Sequence, residues 1–503
     1  MDTHDYVIVG GGSAGCVLAA RLTENPDVTV LLLEAGGDDR REDIQTPAAW
    51  PTLLGSDVDW GYASTVQART GRALPAHRGK VLGGSGSINV MAHLRGHRSD
   101  FDAWESAGAA GWGYEGVLPY FKRSEDVPEG DPRFRGRGGP LRPRPIADPH
   151  PLSVAHVEAA RRLGHAIADD LNDGELTGAA THDLLIVDGK RQSTASAYLH
   201  PSMGRKNLTV LTGAHVGRLQ IVDGRCTAVE YRVNGVSHVV RAGTEVLLCA
   251  GAVDSPRLLM LSGVGPAGDL SALGIRPVVD LSGVGQNLQD HVMLAGIRIR
   301  AGRPLPPPTG NFAEATLFLR TDPGQEGPEL QLVQIQVDYH LPWQAPIENA
   351  FAVGVGHMRP ASRGRVRLVS ADPGVAPLID PRYLSERRDV DQLIAGVEEV
   401  HAMAGSGAFD DWEVVTGTAD ILQKPRAELE EFIGDAVSSF FHLSGTCRMG
   451  TGDDAVVDPD LKVHGVAGLR VVDASVMPRI VSCNTNAATV MIAEKAADLL
   501  QGA

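Results

Sequence analysis

The segment from Tyr6 to Glu34 constrains the fold more than any other part of the chain. Tyr6–Val9 reads as a short buried strand, and the turn Gly10-Gly11-Gly12-Ser13-Ala14-Gly15 follows it directly. Cys16–Leu22 then reads as an Ala- and Leu-rich helix, and Val28–Leu33 as a second strand ending at Glu34. Strand, glycine turn, helix and strand within about 30 residues make a βαβ unit, the building block of a parallel sheet. In this GxGxxG turn Gly10 permits the tight bend, Gly12 lets backbone approach a pyrophosphate, and Gly15 allows the helix to pack closely. Ser13 and Ala14 lie in this turn just ahead of the helix N-terminus, whose free N–H groups and positive dipole end face a phosphate. Glu34, with Ala35 beside it, lies about 20 residues on, where an adenosine ribose is met. A turn made only for packing leaves Glu34 unexplained. A dinucleotide is therefore expected. The chain shows no second fingerprint, so this segment leaves FAD and NAD both open.

The remaining sequence narrows the partners. A net charge of −16 provides no basic field to draw in nucleic acid or an anionic membrane. Arg133, Arg135, Arg137, Arg142 and Arg144 form a local exception, and the Pro and Gly among them predict a solvated connector. The five cysteines, Cys16, Cys226, Cys249, Cys447 and Cys483, are scattered and odd in number. They match no metal-site spacing, so no metal is expected, and they fit reduced thiols in a cytoplasmic protein. Cys447 and Cys483 lie in C-terminal motifs and are read as packing residues before reactive ones. Asp2 and Asp5 interrupt the place where a signal peptide would be apolar. No apolar run approaches the roughly 18 residues of a membrane span.

At 503 residues the chain suits two or three sub-domains. Val229–Val233 and Val236–Val240 read as strands about an Asn234-Gly235 turn, and Glu245–Cys249 as a separate buried strand. Gln331–Tyr339, Phe351–Met358, Val366–Leu368 and Leu469–Val472 read as further strands. Asp389–Ser406 and Arg426–Gly434 read as helices, and Ala487–Leu500 as a final amphipathic helix. Pro304–Gly310 is a stiff loop and a candidate boundary. Nucleotide-type signals sit at the start, near residue 250 and at the end, which implies a discontinuous nucleotide domain with an inserted one.

Two longer motifs, RGKVLGGSGSIN (Arg78–Asn89) and GAVDSPRLLMLSGVG (Gly251–Gly265), carry a resemblance. Together with GVGQNLQDH (Gly283–His291), PASRGRVRL (Pro360–Leu368) and HLSGTCRMG (His442–Gly450), they resemble the glucose–methanol–choline (GMC) family of FAD oxidoreductases over nearly the whole chain. The resemblance implies an α/β protein (α+β overall). Its Rossmann-like FAD-binding domain would be discontinuous, over 1–155, 195–295 and 440–503. A substrate domain of antiparallel sheet plus helices would be inserted over 156–194 and 296–439. It also implies a cofactor site. Gly83, Gly84 and Ser87 match a loop beside the isoalloxazine, with Asn89, Val90 and Met91 near the reactive edge. Val216 matches a backbone contact to adenine, and Ala250, Asp473 and Ala474 match contacts along the phosphate and ribityl chain. Thr485 and Asn486 would run past the pyrimidine end of the ring. In some members of the family a histidine just before this loop's asparagine is bonded to FAD. The residue here is Ile88, so the FAD is expected to be non-covalent.

Alcohol oxidation needs a base for the hydroxyl proton and an acceptor for the carbon-bound hydride, here flavin N5. A neutral histidine suits the first role, and an Asn amide can stabilise developing alkoxide without competing for the proton. The resemblance assigns these roles to His442 and, counted from Pro478 in the VMP turn, to Asn484. Asn486 is read as the cap of the final helix, with a flavin contact as well. Phe441 either packs or walls the cavity against substrate and oxygen. Gln334, Gln336, Tyr339 and Trp343 are expected in the substrate pocket, and Arg448 in a structural ion pair. His291 is expected to close a loop beside the flavin domain, and His340 and His357 carry no motif support for catalysis. The expected activity is oxidation of a primary alcohol, aryl, furfuryl or aliphatic, with O2 reoxidising the flavin to give H2O2. A dehydrogenase passing electrons to a quinone or other acceptor, and a hydroxynitrile-lyase-like protein without redox turnover, stay open. A homodimer is compatible with the chain, and choline specificity has no motif behind it.

Overall fold

The computed structural model describes residues 2–414 and 424–502. Its first sheet grows from the βαβ unit. Thr3–Val9 pairs in parallel with Val30–Leu33, which pairs in turn with Leu208–Leu211. On its other side Thr3–Val9 pairs in parallel with the end of Val236–Leu248, and Leu469–Val471 closes that edge, also in parallel. The strands Val30–Leu33 and Leu469–Val471 are buried throughout, as expected for parallel strands covered on both faces. An antiparallel meander, His215–Val222, Arg225–Val233 and the start of Val236–Leu248, extends the sheet.

The segment expected as two strands, Val236–Val240 and Glu245–Cys249, is one strand of 13 residues. The polar Arg241-Ala242-Gly243-Thr244 stretch that suggested a break is a register shift against His4 and Tyr6. The final helix, Asn486–Gln501, also differs from expectation. It is buried on nearly every side rather than amphipathic, because helices Ser13–Leu22 and Tyr114–Ser124 both pack on it. Its buried Glu494 receives Arg21 (2.8 Å), Arg123 (3.1 Å) and the Tyr198 hydroxyl (2.7 Å).

The second sheet is antiparallel, in the order Val437–Ser439, Val292–Leu294, Ala350–His357, Leu330–Ile335, Ala315–Leu319 and Gly178–Thr181, with Arg298–Arg300 also pairing with Ala350–His357. Helix Pro151–Arg162 packs on its Gly178–Thr181 edge, and Arg387–Ala404 on Ala350–His357. The strand expected to run to Tyr339 stops at Ile335. A tight turn follows, with the Tyr339 N–H donating to the Val337 carbonyl (2.8 Å).

The arginine-rich connector is only partly solvated. Arg135 is buried among Glu125, Asp170 and Asp183 at 2.9, 2.9 and 2.6 Å. A run of arginines alone does not reveal carboxylates that arrive from other segments. Arg448 pairs with Asp454, as expected. Cys447 and Cys483 are buried, and burial pushes both thiols well above their ordinary range, which makes them packing residues. Among the described residues no helix is long and apolar enough to cross a membrane.

Candidate active site

A cavity of about 990 Å³ runs between the two sheets. Gly10, Gly12, Ser13 and Ala14 line one part of it, with Glu34 and Ala35 at the end of the second strand. Gly15 lies behind the turn, where an added Cβ would meet the Gly10 carbonyl oxygen at 2.0 Å, so helix and strand approach as closely as GxGxxG requires. A Cβ on Gly84, which has φ +56°, would meet the Gly12 Cα at 2.7 Å. The two glycine loops therefore touch backbone to backbone. Glu34 accepts from the Gly11 and Gly36 N–H groups at 2.8 and 2.7 Å. Burial nevertheless pushes its carboxyl up to about 7, with those N–H groups opposing the rise.

Val216, Ala250, Asp473 and Ala474 extend the wall. The buried Asp473 accepts from the Ser255 hydroxyl (2.5 Å) and the Gly251 N–H (2.8 Å). Asn89, Val90, Met91, Thr485 and Asn486 also face the cavity. Gly83 and Ser87 do not. Ser87 is buried behind the loop and donates to the Leu82 carbonyl at 2.7 Å, so it holds the loop's shape. Thr485, not Asn486, is the residue ahead of the final helix, and Asn486 donates to the Ser13 hydroxyl at 2.9 Å. That bond ties the first glycine turn to the last helix. Ile88 is buried in a small apolar cluster with Ile44, Leu53, Val58 and Val81.

His442 and Asn484 meet at the other part of the cavity. Val292 pairs with Ser439 across two antiparallel strands, and this register sets Asp290-His291 opposite Phe440-Phe441-His442. The Phe440 N–H donates to the His291 carbonyl (2.9 Å), and the His442 N–H to Asp290 Oδ1 (2.7 Å). Phe441 between them has φ +63°, a conformation a bulky residue rarely adopts, and it turns the chain so that His442 faces inward. Ser439 Oγ takes its N–H at 2.8 Å, Arg78 donates to its carbonyl, and its ring lies 5.0 Å from that of His77. The Asn484 loop is held where Ser482 donates twice to Asp100, each at 2.7 Å. Asn484 Nδ2 then lies 3.2 Å from His442 Nε2, while Asn484 Oδ1 is buried without a protein partner. Burial, then His291 and Arg78, hold the His442 pKa well below its ordinary value, so the imidazole is neutral. A neutral imidazole and an amide side by side at a cavity wall can take the proton of a hydroxyl and hold its oxygen.

Three expected pocket residues are elsewhere. On strand Leu330–Ile335 the cavity-facing residues are Gln331, Val333 and Ile335, so the period of two turns Gln334 and Gln336 away. Gln334 accepts from Ser153 on the neighbouring helix (3.1 Å), and Gln336 from the Thr309 N–H (2.7 Å). Trp343 is 55% exposed, with the Arg72 guanidinium 5.6 Å over its ring. Tyr339 and Phe441 do line the cavity, together with Met293, Phe312 and Phe440. Arg191 lies behind the cavity wall and has no motif around it. Buried and without a carboxylate partner among the described residues, it donates to the carbonyl (2.6 Å) and Oδ1 (2.9 Å) of Asn89 and to the Ile44 carbonyl (2.9 Å). It thereby fixes the loop bearing Asn89.

Comparison with known proteins agrees with this architecture. A family model described as GMC oxidoreductase matches residues 4–293, and a second of the same description matches 360–493. Human mitochondrial choline dehydrogenase is 42% identical over 100% of this chain and 90% of its own length. The oxygen-dependent choline dehydrogenase of Rhizobium johnstonii is 39% identical over 99% of this chain and 95% of its own. Among solved structures, pyridoxine 4-oxidase from Mesorbium loti superposes with a TM-score of 0.95 at 38% identity, covering 99% of each chain.

Proposed function

This chain belongs to the GMC oxidoreductase family, enzymes acting on CH–OH donors, and from that premise we propose that it binds FAD non-covalently and oxidises an uncharged primary alcohol to the aldehyde, with O2 as electron acceptor and H2O2 as product. The observation that carries this reading is the His442–Asn484 pair, which shares one cavity with the GxGxxG turn. When bound, FAD supplies the acceptor for the carbon-bound hydrogen. His442 Nε2 takes the hydroxyl proton, and the Asn484 amide donates to the oxygen as negative charge gathers there. Gly10, Gly12, Ser13, Ala14, Glu34 and Val216 would hold the nucleotide half, and Asn89, Val90, Met91, Thr485 and Asn486 the ring. Ile88 offers no atom for a covalent bond. Five free, buried cysteines fit a reducing compartment such as the cytoplasm.

Two named relatives act on choline, a permanent cation, and the charges in this cavity favour a different substrate. The carboxylates among its lining residues, Glu34, Glu230, Asp254 and Asp473, all belong to the nucleotide half. Asp254 is already paired with Arg257 at 2.8 Å. At the His442 end the charged side chain that lines the cavity is Arg78, which donates to the carbonyls of His77 and Phe441, while Asp290, the carboxylate that acts on it, is buried behind the wall. A guanidinium there repels a quaternary ammonium, whereas Phe312, Tyr339, Phe440, Phe441 and Met293 suit an aryl, furfuryl or aliphatic body.

A panel of benzyl, furfuryl and hexyl alcohols and choline, mixed without oxygen and followed at the flavin absorbance band, tests the substrate class. An uncharged alcohol should bleach the flavin, and choline about a hundredfold less efficiently. Efficient bleaching by choline would overturn the substrate class. Failure of every alcohol would favour a lyase-like protein without redox turnover. Mixing the reduced enzyme with air or with a quinone-like dye then separates oxidase from dehydrogenase, and slow reoxidation by air sinks the oxidase assignment.

The neutral imidazole adds a pH dependence. A base must be unprotonated to act, and a lowered pKa moves the acid limb of its titration downward. kcat/KM for the best alcohol should therefore hold its value as pH falls through about 6.5, the ordinary histidine pKa. A limb at or above that pH would contradict a base held neutral by burial.

A further inference from the structure

Three antiparallel strands decide where the hydrogens sit around His442. Val292–Leu294 lies between Val437–Ser439 and Ala350–His357, with Val292 opposite both Ser439 and His357. His291 is thereby set beside His442 on one side and Met358 on the other. The Met358 N–H is itself held by the Glu329 carbonyl at 2.8 Å, which fixes its backbone in place. The Met358 carbonyl oxygen lies 3.0 Å from His291 Nε2. A carbonyl only accepts, so His291 Nε2 carries the hydrogen. A neutral imidazole has a single N–H, and His291 Nδ1 is left as a lone pair. That lone pair is 2.9 Å from His442 Nδ1, which must therefore be the donor. The lone pair of His442 is then on Nε2, where Asn484 Nδ2, a donor only, meets it at 3.2 Å.

Each of the three contacts is satisfied by one arrangement of hydrogens. In the opposite tautomer of His442, two lone pairs would face each other at one nitrogen and two N–H groups at the other. Burial pushes the His291 pKa down to about 3, with His357 adding to the effect and the Met358 and Val481 carbonyls, both acceptors near the ring, opposing it, so His291 is neutral beside a neutral His442. Other charges nearby are Arg78 on the cavity side and Asp290, which takes the His442 backbone N–H. Asp389 accepts from His357 Nε2 at 3.1 Å.

We propose that His291 is a positioning residue, which transmits the polarity of the Met358 carbonyl to His442 and fixes Nε2 as the unprotonated nitrogen facing the alcohol. The proposal rests on the assignment of His442 as the base. After His442 has taken the proton, its Nδ1–H still points at the His291 lone pair, which stabilises the imidazolium. A carboxylate in that place would raise the His442 pKa. A second neutral imidazole orients His442 without charging it.

The test uses the holoenzyme labelled with 15N-histidine, with His442 signals identified by their loss in His442→Ala. Wild type should show His442 as the Nδ1–H tautomer. In His291→Phe, which removes the acceptor, His442 should become a mixture of tautomers. kcat for the best alcohol should fall about 100-fold in that variant, with KM changing less than about threefold. In His291→Asn the side-chain oxygen can stand where Nδ1 was, and about tenfold of the loss should return. An Nε2–H tautomer in wild type, a His291→Phe variant with wild-type kcat, or equal loss in the two variants would each overturn the proposal. If His291→Phe fails to fold, the wild-type spectrum and His291→Asn still decide. If no alcohol bleaches the wild-type flavin, the functional assignment fails, while the tautomer in the spectrum still tests the relay.

Discussion

Replacing His442 with alanine should lower alcohol turnover about 10²- to 10⁴-fold while the protein keeps its FAD. The size follows from what the imidazole does at its place. In the proposed reaction it is the neutral nitrogen base beside Asn484, and its removal leaves a buried amide beside empty space. The retention of FAD follows from where the proposed cofactor contacts lie. Gly10, Gly12, Glu34, Val216 and Asp473 belong to the first sheet and its loops, and the hydrogen bonds of Glu34 and Asp473 do not pass through His442. Flavin content per chain, measured by absorbance, should match wild type, and the anaerobic bleaching rate should collapse. Unchanged turnover would remove His442 from the reaction. Loss of flavin together with turnover would instead assign the residue a structural role.

A Gly15→Ala substitution should do the reverse and empty the protein of FAD while destabilising it. The new Cβ would lie 2.0 Å from the Gly10 carbonyl oxygen, 3.1 Å from that carbonyl carbon and 3.3 Å from Ile8 Cγ2. Two of these neighbours are backbone at the turn itself, so no side-chain rotation relieves the contact. The helix must move off the strand, which widens the turn meant for the pyrophosphate. Overpacking a tight site in this way costs about 3 kcal/mol or more. Gly37→Ala is the matched control, because nothing lies within 4 Å of its added Cβ. Thermal unfolding and flavin content should fall for Gly15→Ala and hold for Gly37→Ala. Full flavin with an unchanged melting temperature in Gly15→Ala would mean that close helix–strand approach is not what the turn supplies.

The parts of the site legible in the sequence are those whose chemistry is local. The GxGxxG turn and Glu34 announce themselves because strand, turn, helix and acid follow one another along the chain. The His442–Asn484 pair was legible through motif resemblance, and the structure brings the two side chains within 3.2 Å. What failed depends on long-range register. Gln334 and Gln336 look as suitable as Gln331 until the pairing of Leu330–Ile335 with Ala350–His357 shows which alternate residues face inward. Trp343 was an aromatic near the right place, but the turn after Ile335 carries it outward. The contacts of Arg191 and His291, to carbonyls and to a second histidine, come from distant segments, and no local pattern marks either. The parallel sheet was legible from its apolar runs, whereas the polar interruption in Val236–Leu248 disguised one strand as two.

Strand Leu469–Val471 and helix Asn486–Gln501 complete the sheet and cover the helix that Thr3–Val9 and the glycine turn begin. During synthesis this separates the two halves of the nucleotide site in time. A nascent chain that has reached Val236–Leu248 already has the partners for its first strands, but the apolar surface of helix Ser13–Leu22 still lacks its cover. Such long loops close slowly and leave hydrophobic surface available to chaperones and to other chains. The Asn486–Ser13 bond forms only once the late segment docks. Asp473, Ala474, Thr485 and Asn486 are thus delivered to the cavity only after most of its wall has been synthesised.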